Sequence, residues 1–163
     1  MRVDVKITGI DGILATLKSL PPEIVSKRGG PVKLALAKGA RLIRDEAKKN
    51  LRAAIARNGE ESTGLLENSV IASRGKAPSS GKGERYLVRV KRKTYADKKG
   101  KPVTTLKTAN LLEYGSVTQP ATPWLRPAVI SKGQQAITVI VDDLKRRIDL
   151  TIRKLAAQNK GKG

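Results

Sequence analysis

The side chains that most enzymes use for catalysis are scarce in this chain. Its 163 residues include no histidine and no cysteine, which excludes histidine general bases, Ser–His–Asp triads, thiolate nucleophiles and thiolate metal sites. Acidic pairs occur at Glu60-Glu61 and Asp142-Asp143. Adjacent residues on a helix point about 100° apart, so Asp142 and Asp143 cannot both face one metal ion without further ligands. We interpret them instead as acids near a helix start, where the helix dipole favours negative charge.

A glycine-rich basic loop, Gly75–Gly83, has some features of a phosphate-binding loop. In that motif four residues separate the first glycine from Gly-Lys-Ser/Thr, whose hydroxyl holds magnesium. Here five residues separate Gly75 from Gly81, and Lys82 is followed by Gly83. Since the register and the hydroxyl are both wrong, we predict a flexible basic loop. We expect no enzymatic activity and no cofactor.

Positive charge dominates the composition. Thirty-four lysines and arginines face 14 acids, a net charge of +20. Twelve basic and two acidic residues lie between Arg74 and Lys107, so half of the net charge falls in about a fifth of the chain. This localised patch favours a polyanionic partner, either a DNA backbone or an acidic protein surface. The candidate residues facing that partner are Arg92, Lys93, Lys98, Lys99 and Lys101.

The apolar residues are too few and too small for a large core. They make up 39% of the chain, with one tryptophan and no phenylalanine, so we expect a thin core that completes its burial against neighbouring subunits. No apolar run approaches the ~20 residues of a membrane span, and Met1–Lys6 lacks a signal core. We expect synthesis in the cytoplasm and no membrane partner. The length fits a single domain over residues 1–157, followed by a disordered basic tail at 158–163.

Apolar periodicity predicts the elements of the first half of the chain. Alternation at residues 3–7 is typical of a strand, and helical spacing follows at 13–20. An apolar stripe with steps of three and four predicts a long helix over about 32–57. Its members are Leu36, Ala40, Ile43, Ala47, Leu51 and Ala54. Asn58-Gly59 should end this helix, because both residues tolerate left-handed backbone.

The second half combines strands with a C-terminal helix. The pattern predicts two strands of a hairpin with charged arms, at residues 70–73 and 86–91. A second basic loop should follow over 91–101. The C-terminal pattern predicts a helix over 127–158, or one confined to 142–158 if the β-branched residues before it form a strand. We therefore expect an α+β fold, in which a small antiparallel β-sheet packs against the long helix and the C-terminal helix, with extended basic loops.

A stiff segment around the single tryptophan is the sharpest motif. Pro123 and Pro127 bracket Trp124-Leu125-Arg126, and each proline restricts its own backbone and that of the preceding residue. A stiff segment that presents an aromatic ring and an arginine suits an anchor. The anchor could insert into the chain's own sheet or into a partner.

This segment resembles the signature of a phage tail-component family, the HK-ninety-seven gene-product-ten type. Leu112–Ser116 and Pro120–Ala128 follow the family pattern of an aromatic-Glu-aromatic-Gly-Thr/Ser stretch, a variable loop and Pro-Ala-x-Pro-aromatic-Leu-Arg-Pro-Ala. Gly9–Pro21, Arg44–Ala47 and Ser62–Ser69 also resemble family features, in the same order.

The resemblance implies a structural protein of the virion neck, a tail-completion or head–tail joining component. Such a protein would form a ring with copies of itself, with six as the expected number, between a tail terminator and a head-closure protein. Genomic DNA in the channel is a further candidate partner. The residues assigned to assembly are Glu113, Tyr114, Gly115, Trp124, Leu125, Arg126 and Pro127. The competing interpretation is a free-standing, non-specific nucleic-acid-binding protein that acts through the basic patch.

Overall fold

The architecture is α+β, as predicted. A computed structural model describes residues 30–76 and 83–160, together with residues 12, 15, 18 and 19. The predicted strand at 3–7, most of the helix predicted at 13–20 and residues 161–163 of the predicted tail lie outside this part. The elements are helix α1 (Pro31–Arg57), helix α2 (Leu65–Ser69), strands β1 (Val70–Arg74), β2 (Tyr86–Val90), β3 (Thr94–Ala96) and β4 (Pro102–Thr104), helix α3 (Thr105–Tyr114) and helix α4 (Leu125–Lys160).

Helix α1 begins and ends where its sequence predicts. Pro31 occupies its first turn, where the missing N–H costs nothing. At the other end, Asn58 donates its backbone N–H to Ile55, and Gly59 follows at φ 68°. This left-handed glycine turns the chain away from the helix.

Helix α4 takes the longer of the two predicted forms, and extends it at both ends. It is continuous over 36 residues, or about 54 Å, and includes residues 158–160 of the predicted tail. Lys38 of α1 contacts Asp143, whereas Asn50 contacts Trp124, so the two long helices run antiparallel. Packing along α1 supports helical backbone through the β-branched run, because tertiary contacts outweigh propensity.

The helices α1 and α4 approach each other closely at Gly39. A methyl group added there would overlap the side chain of Ile140 and lie 3.1 Å from the carbonyl oxygen of Ala136. Gly133, in contrast, lies within α4 with nothing within 4 Å of an added methyl group. The two glycines therefore form a matched pair that separates helix packing from helix propensity.

We expect Gly39→Ala to lower the free energy of unfolding by about 1–2 kcal/mol, because overpacking outweighs the gain in helix propensity. The same substitution at Gly133 should raise it by about 0.5–1 kcal/mol. Urea denaturation followed by circular dichroism measures both values. Equal stabilisation by the two substitutions would contradict the close helix contact at Gly39.

Within the described residues, the strands form two two-stranded antiparallel sheets. The predicted hairpin pairs β1 with β2, from Val70 opposite Val90 to Arg74 opposite Tyr86. The predicted basic loop at 91–101 is wrong in part, since β3 lies within it and pairs with β4. Alternation is hard to detect in strands of three residues, and Pro102 masks the pattern further because proline is rare in strands.

The main core lies where α1, β1 and α3 meet the start of α4. Among the described residues it has nine buried members, four of which are alanines. Its members are Ala47, Leu51, Ala54, Leu66, Val70, Ala109, Leu112, Trp124 and Ala128. A smaller cluster of Ala35, Leu144 and Ile148 joins the far ends of α1 and α4. No helix in the described part of the chain is long and apolar enough to cross a membrane.

Candidate functional site

Helix α3 carries Glu113 and Tyr114 of the residues assigned to assembly, and the apolar pattern did not predict this helix. Thr104 caps its start by accepting a hydrogen bond from the backbone N–H of Lys107. Gly115 follows its last residue at φ 76° and donates to the carbonyl of Leu111. A threonine cap and a terminal glycine eleven residues apart were the available signals for this helix.

The chain reverses direction in a tight turn that begins at Gly115. A methyl group on Gly115 would lie 2.8 Å from the backbone nitrogen of Ala121 and 2.9 Å from the carbonyl oxygen of Gln119. The backbone N–H of Thr122 donates to the carbonyl of Leu112 at 2.8 Å. These contacts lay the segment that precedes Trp124 against the end of α3, and only glycine fits the turn.

Glu113 joins the two halves of the motif. Its carboxylate accepts the backbone N–H groups of Trp124 and Leu125, each at 2.8 Å, and that of Arg126 at 3.1 Å. These amides lie at the start of α4, where a helix has no internal acceptors. The Nε of Arg126 donates to the same carboxylate at 2.8 Å. We call this group of bonds the Glu113 clasp, a helix cap supplied by a different helix.

Arg126 closes the clasp from the solvent side. Besides binding the carboxylate, it donates from Nη2 to the backbone carbonyl of Glu113 at 3.0 Å, and its guanidinium lies 5.2 Å from the centre of the Tyr114 ring. Burial alone would raise the pKa of Glu113, but the bonds from Leu125, Trp124 and Arg126 outweigh it and hold the pKa below its ordinary value. The carboxylate is therefore charged at neutral pH.

Trp124 is the anchor, and it inserts into the chain's own core. The residue is 2% exposed, its indole N–H donates to the carbonyl of Ala109 at 3.2 Å, and its own carbonyl accepts from Asn50 of α1 at 3.2 Å. Trp124 thus connects α1, α3 and α4. The sequence left open whether the ring inserts into the chain's own sheet or into a partner. Because the ring is buried within this chain, insertion into a partner is excluded. The residues that surround the ring come mainly from helices rather than from the sheet. Leu125 packs against the same core, and Pro127 is exposed in the first turn of α4.

A second buried acid, Asp143, ties α4 to α1. Its carboxylate contacts Lys38 and Arg146 at 3.1 Å and also pairs with Arg147. Burial would raise the pKa of Asp143, but Arg147 and Lys38 hold it below the ordinary value. The interpretation of Asp142-Asp143 as acids at a helix start is wrong, because α4 begins at Leu125 and the pair lies in its middle.

The five candidate basic residues fall into two neighbourhoods. Arg92 and Lys93 lie beside the start of α3, where buried Thr105 fixes the chain: its hydroxyl donates to the carbonyl of Lys91 at 2.8 Å and accepts from the N–H of Lys93 at 2.9 Å. Both side chains are exposed. Among the described residues neither has an acidic partner within 4.0 Å.

The other three basic residues surround the β3–β4 turn. Lys98 pairs with Glu60 at 2.8 Å, which raises the pKa of Lys98 through a hydrogen bond and charge attraction. Asp97 accepts the backbone N–H groups of Lys99 and Lys101 at 2.8 Å. A cleft of about 870 Å³ lies between this turn and the loop after α1. The turn is therefore partly neutralised, in contrast to Arg92 and Lys93.

The hydrogen bonds of Glu113 and Trp124 hold helices α1, α3 and α4 together. The side chains of Arg92 and Lys93 place positive charge at the surface. No group of three or more metal-ligating side chains occurs in the part of the chain that the structure describes. Comparisons with protein-family models, curated proteins and solved structures found no match to this chain.

Proposed function

We propose that this chain is a structural component of the neck of a long-tailed bacteriophage, where copies of it form a ring around the DNA channel. The Glu113 clasp is the observation that carries the proposal. It joins Leu112–Ser116 to Pro120–Ala128, the two stretches on which the family resemblance rests. Residues that resemble a signature therefore act as one physical unit here, which supports reading them as a motif.

The Glu113 clasp suits a structural protein that must keep a rigid shape within an assembly. It fixes α3 to the start of α4, and Trp124 extends the connection to α1. A rigid block of this kind keeps its surfaces at fixed angles, and fixed angles allow repeated head-to-tail contacts to close into a ring. We propose six copies, with a tail terminator and a head-closure protein as neighbours in the virion.

The small core supports assembly as the source of further stability. Several large apolar side chains outside α3 remain exposed in the described part of the chain, among them Leu34, Val117, Ile130 and Ile152. Subunit contacts bury such residues, and binding to the folded state stabilises it by mass action. A ring component of this composition should therefore unfold at a higher temperature as its concentration rises.

Light scattering after size-exclusion chromatography tests ring formation on the full chain. The proposal predicts a species of about six times the 17.6 kDa chain mass, whose fraction increases with protein concentration and whose thermal midpoint increases in parallel. A monomer at every concentration, with an unchanging midpoint, would contradict self-assembly.

Non-specific binding to nucleic acid is the second candidate function. It is favoured by the exposed cations Arg92 and Lys93, which have no acidic partner within 4.0 Å in the part of the chain that the structure describes. If this is the function, a monomer should bind duplex DNA, and the R92Q/K93Q variant should reduce the slope of log affinity against log salt by about 2. If the unmodified protein assembles but binds duplex DNA no more tightly than R92Q/K93Q does, nucleic-acid binding as the function is excluded.

A further inference from the structure

The outer face of helix α3 exposes two large apolar side chains. Leu106, Asn110 and Tyr114 are spaced four residues apart, so they lie on one face of the helix. Leu106 is 42% exposed and Tyr114 is 68% exposed. The opposite face carries the buried Ala109 and Leu112. Because the inner face already supplies the contacts of α3 with the core, the outer face is available to bind another molecule.

Cations border this face. A groove of about 470 Å³ runs along it, with Arg92 and Lys107 among its lining residues. Neither cation has an acidic partner within 4.0 Å among the described residues. Arg126 stacks on the Tyr114 ring, which holds the ring at one end of the groove. Tyrosine and arginine are the residue types that dominate binding energy at protein interfaces.

The positive charge beside the groove favours an acidic binding partner. With 34 basic against 14 acidic residues, a second copy of this chain offers few carboxylates to pair with Arg92 and Lys107. A DNA backbone would satisfy Arg92 and Lys107 but would place phosphates against the apolar Leu106. A protein segment with an apolar side chain between carboxylates matches both features at once.

We propose that the α3 groove binds a different protein through a segment in which an apolar side chain lies between acidic residues. The apolar side chain packs on Leu106 and Tyr114, and its flanking carboxylates pair with Arg92 and Lys107. The assignment of this partner to an adjoining neck component rests on the proposed function. The recognition chemistry does not, and it can be measured on the purified chain alone.

Fluorescence anisotropy with a labelled peptide of alternating leucine and glutamate tests this chemistry. The reference probe is a peptide of equal length and charge in which serine replaces leucine. The full-length protein should bind the leucine peptide about tenfold more tightly, because only that peptide buries apolar surface. L106S should abolish this difference between the peptides. R92Q/K107Q should weaken the binding of both peptides about tenfold.

A matched control uses another exposed leucine and an exposed lysine, both far along α4. L150S and K145Q should leave both affinities within about twofold of the unmodified protein. Equal affinity of the unmodified protein for the two peptides would overturn the proposal, as would equal losses in L106S and L150S. Displacement of the leucine peptide by duplex DNA would assign the groove to nucleic acid instead.

Failure of this proposal is distinguishable from failure of the proposed function. If L106S reduces the scattering mass of the assembled protein, the groove binds a second copy, and the proposal of a different partner is wrong while ring formation stands. If the protein stays monomeric but discriminates between the peptides, the groove chemistry is correct and ring formation is wrong.

Discussion

Replacing Trp124 by alanine is expected to lower the free energy of unfolding by about 4 kcal/mol, the largest effect of any single substitution considered for this chain. Trp124 is 2% exposed and is the largest side chain of a core that otherwise consists of alanine, leucine and valine. With so few large residues nearby, the core cannot refill the space. Thermal denaturation should show a midpoint lower by about 10 °C, and urea denaturation should show a lower midpoint concentration.

Two further variants separate the parts of this effect. W124F keeps an aromatic ring in the core but loses the bond from the indole N–H to Ala109, so we expect a loss of about 1–2 kcal/mol. L150A removes an exposed side chain of α4 and should change stability by less than about 0.5 kcal/mol. A W124A variant as stable as L150A would show that Trp124 does not anchor the core.

Replacing Glu113 by glutamine should cost about 3 kcal/mol. The amide of glutamine has one acceptor oxygen instead of two and loses the charge, so several of the backbone N–H groups at Trp124, Leu125 and Arg126 lose their partner. The start of α4 should fray, which hydrogen exchange at these amides detects. E67Q is the matched control, because Glu67 pairs with Arg52 at the surface at 3.5 Å and should matter by less than about 0.5 kcal/mol.

The same variant predicts a change in pH dependence. Since the pKa of Glu113 is lower in the folded protein than in the unfolded chain, its stabilisation is complete above the ordinary glutamate pKa of about 4.3 and is lost as the pH falls towards the folded value. The unmodified protein should therefore lose stability below about pH 4.5. E113Q should lose less, with the remaining slope due in part to Asp143. Parallel curves for the two proteins would contradict the clasp.

The long helices could be predicted from sequence because their period repeats many times. Helix α1 lies within two residues of the predicted bounds, and the antiparallel hairpin of β1 and β2 follows from alternation. The buried stripe of α1 was predicted less well at its start. Ala35 and Gly39 are buried there, whereas the pattern favoured Leu36 and Ala40. Small residues face α4 because the helices approach closely, and a count of apolar residues does not register that preference.

The site could be predicted only as a set of residues. Glu113, Trp124 and Arg126 were selected from the motif, but their mutual bonds depend on the turn at Gly115, whose geometry no periodicity encodes. The same limit applies to Asp143, whose partner Lys38 lies 105 residues earlier in the chain. A long-range pair of this kind forms only after α1 and α4 pack against each other.

The division of the basic patch into two neighbourhoods also required the structure. From sequence, Lys98 and Arg92 are equivalent cations in one run. In the folded chain Lys98 pairs with Glu60, while Arg92 borders the apolar groove of α3. Charge counted along a sequence therefore locates a patch, but neighbouring acids and apolar residues decide what each part of it can bind.

The proposed neck function is tested most directly by a reconstruction of the head–tail junction of the phage particles in which this chain is proposed to lie. The proposed function predicts a ring of density between the head connector and the tail terminator, into which α1, the Glu113 clasp and α4 fit as one rigid block, with the α3 groove facing a different protein. Mature particles that contain no density for the chain between head and tail would contradict it.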